Sequence, residues 1–308
     1  MRQPPPAIWW RRLGAFVCHS GAMPRRMLVP APALRPLVQM YRIVEESAPQ
    51  PERHMLLPEH TAHLIVHSGG TWMLGPGGVA APLPLATLSG LTLTPAPLLS
   101  GGPTRALWAE LYPWAARQLL GWSYPDPPLD LSAGAGGPAL SAAVRAISAA
   151  LAAADWDTAV GLLEGWLLAR AAQTARAAGP GVRAAVRLYH STGQARVADL
   201  AAELDLSPRT LERQFAQEVG IGAKSLARLI RFETAHNLLS DDPQTPLATL
   251  AYDLGFSDQA HLTREFRALG GLTPGAYARL SRLRRALDPG AWLPGTLGDK
   301  PVWPPLPE

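Results

Sequence analysis

The sequence predicts an α+β chain. It should hold a β-rich N-terminal domain built as a small barrel or sandwich, a helical connector, and an all-helical C-terminal domain with two helix-turn-helix units. Three observations predict it. Residues 28–124 contain short apolar and alternating stretches set between Gly/Pro turns. Residues 139–178 are rich in Ala and Leu. Between 182 and 285, "LSPRTLERQF" (206–215) recurs in altered form as "FSDQAHLTREF" (256–266). Leu211, Arg213 and Phe215 return 51 positions later as Leu262, Arg264 and Phe266.

The bulk numbers bound this reading. With 308 residues, 47% hydrophobic and 17% charged, the chain has room for about two domains with real cores. A net charge of +4 is only a mild pointer to a polyanionic partner. The single cysteine, Cys18, excludes an intrachain disulfide framework and a Cys-rich zinc site. That fits a reducing cytoplasm. No apolar run reaches the roughly 18 residues of a membrane span. In residues 1–26, arginines interrupt a short apolar stretch, which makes a poor signal peptide. This segment is expected to be a disordered arm, or an overextended start with the true start at Met23 or Met27.

The β-rich domain is expected over 27–125. "AHLIVHSGGTWMLGPGG" (62–78) offers two short strands with Gly-Gly between them, then a Gly/Pro turn. "ATLSGLTLT" (86–94) alternates as a half-buried strand does, and "TRALWAELYPW" (104–114) is a further strand. A short helix, "AARQLLGW" (115–122), follows. The connector, 126–180, opens on a Pro/Gly-rich joint and continues as helices near 139–153 and 156–177, the second N-capped by Asp155. These apolar helices are also the expected dimer interface. The all-helical domain spans 181–285. Residues 286–308, rich in Pro and Gly, are expected to be an irregular tail.

Stop and start signals divide the helical domain. Ser207-Pro208, Thr245-Pro246 and Thr273-Pro274 each place a hydroxyl at the N-cap and Pro at the first helical position. Gly220, Gly255 and Gly270-Gly271 stand where helices should end. The result is a short helix, 196–204, a tight turn, and a second helix, 208–219. A long helix follows over 224–240, and then the short pattern repeats as 246–254 and 258–269. Two helices joined by a tight turn and packed through one apolar face make a helix-turn-helix unit.

Winding each second helix at 100° per residue separates its faces. Leu211, Phe215 and Val219 share one side. Arg209, Arg213 and Gln217 lie opposite, with Thr210 and Glu212 at the margins. In the second unit Leu262, Phe266 and Leu269 share a side. Ala260, Arg264 and Arg267 lie opposite, flanked by Gln259, His261 and Thr263. Arg can pair bidentately with guanine O6 and N7, Gln can pair with adenine, and a Thr or Ala methyl can touch the thymine methyl. Each arginine alone reads more readily as a solvated charge; the repeated constellation favours the DNA major groove. Residues 182–285 hold 14 Lys/Arg against 11 Asp/Glu, so affinity must come from charge placed on one face.

On "VADLAAELDLSPRTLERQFAQEVG", "LARLIRFETAHNLL" and "PLATLAYDLGFSDQAHLTREFRALGGLTPGAYAR", residues 182–280 resemble the DNA-binding domain of AraC/XylS-type transcription regulators. The resemblance implies two helix-turn-helix units joined by a long helix. It implies base contacts from Arg209, Glu212 and Arg213 in the first unit, and from Gln259, Ala260, Thr263 and Arg264 in the second. Ala260 has no polar group to read a base, and Glu212 can accept only from cytosine N4. Residues 28–125 are more weakly similar, on "LRPLVQMYRIVEE" and "LLPEHTAHLIVHSGG", to the β-rich sensor domains of such regulators. A cupin-like barrel or sandwich is implied there, binding a small effector or supporting dimerisation. The implied partners are double-stranded DNA, a small effector, a second copy of the chain and RNA polymerase. No cofactor is implied, and activation and repression are both compatible with the reading.

Trp72, Trp108 and Trp114, with Trp122, either line an effector pocket or serve as ordinary core aromatics. His54, His60, His63 and His67 form the densest titratable cluster, and on a strand His63 and His67 share a face. Gathered imidazoles could bind a transition metal. The His-x-His spacing and downstream carboxylate of metal-binding cupins are missing, which favours core or surface histidines. No G-x-S-x-G, H-E-x-x-H or P-loop is present, so no catalytic residue is assigned. The rival readings are a cupin-type metal-dependent enzyme or sensor fused to a DNA-binding domain, and a helical adaptor that docks proteins.

Overall fold

Short strands in the N-terminal half build two antiparallel sheets. The computed structural model describes residues 26–46, 52–69, 71–74, 80–91, 93–100, 104–122, 124, 126–134 and 137–287. The expected arm lies outside the described residues except Arg26, and the expected tail except residues 286–287. The side chains of His54 and Trp72 also lie outside them.

The first sheet runs β1 (Arg26–Leu28), β2 (Val38–Glu46), β9 (Thr104–Leu111), β4 (Ala62–His67), β7 (Ala86–Gly90), β10 (Leu129–Asp130). The second runs β3 (Glu52–Leu56), β8 (Ala96–Ser100), β5 (Thr71–Leu74), β6 (Ala80–Pro82). The two strands read on either side of Gly69-Gly70 are therefore not a hairpin: β4 and β5 go to different sheets. The strand read over 86–94 ends at Gly90, and residues 129–130 join the sheet edge by pairing with β7.

Register explains the core of the first sheet. Tyr41 and Ile43 lie beside Ala109 and Leu107, which lie beside Leu64 and Val66, which lie beside Leu88 and Ala86. All eight are buried. Because side chains alternate along a strand, the opposite face carries Arg42, His63, Trp108 and Glu110.

Pro113, pre-set for the first helical turn, starts α1 (Pro113–Leu120), and Gly121 ends it at φ 71°. The connector helices are α2 (Gly137–Ala152) and α3 (Trp156–Gln173). Asp155 caps α3, accepting from Thr158 N at 3.1 Å. The pair is tied to the β-rich half: Ser148 Oγ donates to His67 O at 3.0 Å, and Arg170 Nε donates to Leu119 O at 2.7 Å.

The helical domain comprises α4 (Pro180–His190), α5 (Val197–Glu203), α6 (Pro208–Val219), α7 (Ala223–Asp241), α8 (Leu247–Asp253), α9 (Gln259–Gly270) and α10 (Pro274–Leu287). Ser207 and Thr273 act as the hydroxyl caps that the sequence suggests, accepting from Thr210 N and Ala276 N at 3.2 Å each. Thr245 does not. Its hydroxyl donates to Asp242 Oδ2 at 3.1 Å, Pro246 takes the capping position, and α8 begins one residue later. Gly220 and Gly271 close α6 and α9 in the left-handed region. Among the described residues no helix is long and apolar enough to cross a membrane.

Candidate nucleic-acid interface

The repeat is a structural one. Helices α5 and α8 correspond at a shift of 50 residues, and α6 and α9 at a shift of 51, so the second turn holds one residue more. In both turns an amide reaches back to the first helix: Leu206 N to Ala201 O and Phe256 N to Ala251 O, each 2.9 Å. Both turns need one residue at positive φ, Asp205 at 54° and Gly255 at 69°. Asp tolerates that region better than most side chains. At Gly255 a Cβ would also come within 2.9 Å of Gln194 Oε1, so glycine serves twice.

The apolar side of each second helix is sealed. Leu211, Phe215 and Val219 are buried on α6, and Leu262, Phe266 and Leu269 on α9. Phe266 packs against Phe232 of α7 and Tyr277 of α10, with ring centroids 5.0 and 5.7 Å apart. Helix α7 braces the second unit by charge as well. Arg228 Nε meets Glu265 Oε2 at 2.5 Å, and the Arg231 guanidinium lies 5.0 Å over the Phe256 ring.

The opposite sides are open. Arg209, Glu212, Arg213 and Gln217 are exposed on α6, and Thr210 is half-buried with its hydroxyl 2.9 Å from Ser207 Oγ. On α9, Gln259, Ala260, Arg264 and Arg267 are exposed. Thr263 turns its hydroxyl back to Gln259 O at 2.8 Å, leaving its methyl as the outward group. His261 belongs to the turn: its ring stands edge-on to Phe256 at 5.3 Å, and Nδ1 accepts from Ser257 N at 3.3 Å. Among the described residues, none of Arg209, Arg213, Arg264 or Arg267 forms an ion pair with a carboxylate, whereas Arg187 of α4 and Arg228 of α7 do. Asp258 caps α9, and its bond from His261 N, at 2.6 Å, holds its carboxyl below the usual range.

A family model described as a helix-turn-helix domain matches residues 200–280. The transcriptional regulator GlxA of Rhizobium meliloti (strain 1021) is 38% identical over 76 residues, 25% of this chain and 23% of that protein. The arabinose operon regulatory protein of Escherichia coli K12 is 33% identical over 81 residues, 26% of this chain and 27% of that protein. Residues 200–280 are an AraC-type helix-turn-helix domain. The chain thus matches about a quarter of the length of these curated relatives. ToxT from Vibrio cholerae is 11% identical, with a TM-score of 0.45 over 78% of this chain and 98% of that one.

The aromatic and histidine candidates of the N-terminal half are placed differently from the AraC-type domain's open faces. Trp114 is buried, donates Nε1 to Pro36 O at 2.9 Å, and stacks on Tyr112 with centroids 4.7 Å apart. Trp122 is buried too, donating to Pro127 O. Trp108 is half-buried against the His63 ring at 5.3 Å. His67 Nε2 pairs with Pro84 O at 2.8 Å, while His63 Nε2 meets Glu59 Oε2 at 2.9 Å. Among the described residues no group of three or more His, Cys, Asp or Glu is placed to hold a metal ion. Sequence reasoning did not anticipate the partners of these histidines. Glu59 lies next to His60 in the sequence and four residues before His63, but Glu110 and Glu233 come from distant segments and no local pattern marks them.

Proposed function

We propose that this chain is a sequence-specific DNA-binding transcription regulator. Helices α6 and α9 would enter successive major grooves on one side of the duplex. One observation carries the reading: two second helices of the same fold, bridged by α7 within one helical body, each present an open face whose arginines form no ion pair among the described residues. Arg213 and Arg264 occupy equivalent positions and would read guanine; Arg209, Glu212, Gln217, Gln259, Ala260 and the Thr263 methyl would supply the remaining base contacts. Arg267, farther along α9, suits a phosphate. Thr210 and His261, tied to their own caps and turns, would support rather than read.

The N-terminal domain would be the regulatory half. Helix α1 packs against reading helix α6, and Tyr112 and Trp114 meet Tyr189 of α4 at 5.1 and 5.8 Å, so a change in the sheet domain can reach the AraC-type domain. A small effector would engage Trp72 and Trp108 rather than Trp114, whose polar atom is already used. A homodimer would form through the outer face of α3. Gly161, Leu162, Gly165, Leu168, Ala169 and Ala172 are exposed there, and a Cβ on either glycine would meet nothing within 4 Å. RNA polymerase is the further partner this reading implies. Selection of bound sequences from a random DNA pool tests the function. The expected product is two short motifs about 10–11 base pairs apart, bound with a steep salt dependence. Recovery of no common motif would refute it.

A further inference from the structure

The polar face of the first sheet meets the AraC-type domain across a cluster of charged side chains. Arg42 of β2 pairs with Glu110 of β9. His63 of β4, opposite Glu110 in register, pairs with Glu59. Into this arrangement α7 inserts one more carboxylate. Glu233 Oε2 accepts from His60 N at 3.1 Å and lies 3.5 Å from His60 Nε2. On the other side of His60, Tyr189 of α4 donates its hydroxyl to His60 O at 3.0 Å and sets its ring edge-on to the imidazole. The His60 side chain is only 6% exposed and that of Glu233 21%.

Charge counting singles out Glu233. Arg42 and His63 balance Glu59 and Glu110. Among the described residues the third carboxylate, Glu233, has no ion-pair partner other than His60, so the Glu233–His60 pair must keep a proton to stay neutral. We propose that this pair is a proton-linked latch: with one proton shared between the two side chains it holds α7 against the sheet domain, and loss of that proton releases α7.

The environment of each group agrees. Burial, then the charges of Glu59 and Glu110, push the Glu233 carboxyl well above the usual carboxylate range, against the His60 amide and Arg42. Burial holds His60 down at about 4, outweighing the attraction of Glu59. Burial disfavours ionised Glu59, but His63, Arg42 and His60 outweigh it and bring the carboxyl down to about 2. His63 is raised because Glu59 and Glu110 overcome its burial. Burial first, then Tyr112 and Glu233, keep the Tyr189 phenol neutral.

The signs give a window. A raised Glu233 stabilises docking fully below its free value, about 4.5, and loses that contribution as pH climbs toward its docked value. A depressed His60 stabilises docking fully above its free value, about 6.5, and loses that contribution as pH falls to about 4. Between the two free values the slopes oppose each other. Above about 6.5 the His60 slope is spent, the Glu233 and His63 slopes have the same sign, and the latch loosens as pH rises. Since α7 also carries Arg228 and Arg231, which brace the second unit, release would change how α9 is held.

Amide hydrogen exchange on the full chain, corrected for the intrinsic pH effect, tests this at pH 6 and pH 8. Protection of residues 57–63 and of the middle of α7 should fall at pH 8, by at most about tenfold per pH unit for each proton involved. Glu233→Gln keeps the oxygen that accepts from His60 N and cannot ionise. It should stay protected at both pH values, while Glu233→Ala should be unprotected at both. Equal wild-type protection at the two pH values, or a Glu233→Gln protein that loosens as the wild type does, would overturn the latch. Its effect on DNA rests on the regulator reading and is measured separately, by anisotropy titration of a selected DNA at both pH values. Exchange that follows pH with unchanged DNA affinity would overturn the coupling alone, and absent DNA binding would overturn the regulator reading alone.

Discussion

Phe266 and Arg264 are two residues apart on α9 and should fail in opposite ways when each is cut to Ala. Phe266 is 2% exposed and touches two further rings, Phe232 and Tyr277. Removing a buried Phe costs about 3–5 kcal/mol, and the two ring contacts place this site toward the upper end. For a domain of roughly 100 residues, each kcal/mol corresponds to about 4–8 °C, so the helical domain should melt at least about 12 °C lower. Arg264 is exposed and forms no ion pair among the described residues, and its loss should move stability by no more than about 0.5 kcal/mol. It should instead cost about 1–3 kcal/mol of base discrimination, roughly 5- to 150-fold. Thermal unfolding followed by circular dichroism, with DNA titration below the melting point, separates the two. A Phe266→Ala protein that melts within about 3 °C of wild type would refute the packing argument. An Arg264→Ala protein that melts with Phe266→Ala would show that the outer face is structural.

Three further outcomes are expected. Ser207→Ala removes the acceptor for Thr210 N and should cost about 0.5–2 kcal/mol in denaturant unfolding, with Ser207→Asp restoring most of it. Arg267→Ala should weaken binding to every DNA sequence alike and reduce the slope of log K against log salt by about one, as anisotropy at several salt concentrations would reveal. Leu168→Glu on the exposed face of α3 should leave the fold intact and convert a dimer to a monomer in sedimentation velocity; an unchanged sedimentation profile would place the interface elsewhere.

The legible parts of this molecule are those set by local chemistry. Helix α6 could be bounded to the residue, because Ser207, Pro208 and Gly220 mark its ends and Leu211, Phe215 and Val219 mark its inner face. At Thr245 the same signal misled, since Asp242 competes for the hydroxyl from the preceding turn. Strands β3 and β8 went unread: "ERHML" and "APLLS" have no clean alternation, and their pairing joins residues 40 to 48 apart. The cluster around His60 was half legible. Its histidines and the neighbouring Glu59 stand out in the sequence, but Glu110 and Glu233 arrive from β9 and α7, and only the fold brings them together.

Each of the two outward helix faces should read its own short motif. The direct measurement is a binding titration of Arg213→Ala and Arg264→Ala against single-base variants of both motifs in a selected site. The account predicts that each substitution costs about 1–3 kcal/mol on the intact site and flattens preference at one position of its own motif, leaving the other motif as discriminating as before. Equal loss on every variant, from both proteins, would mean that these arginines only hold phosphates and would contradict it.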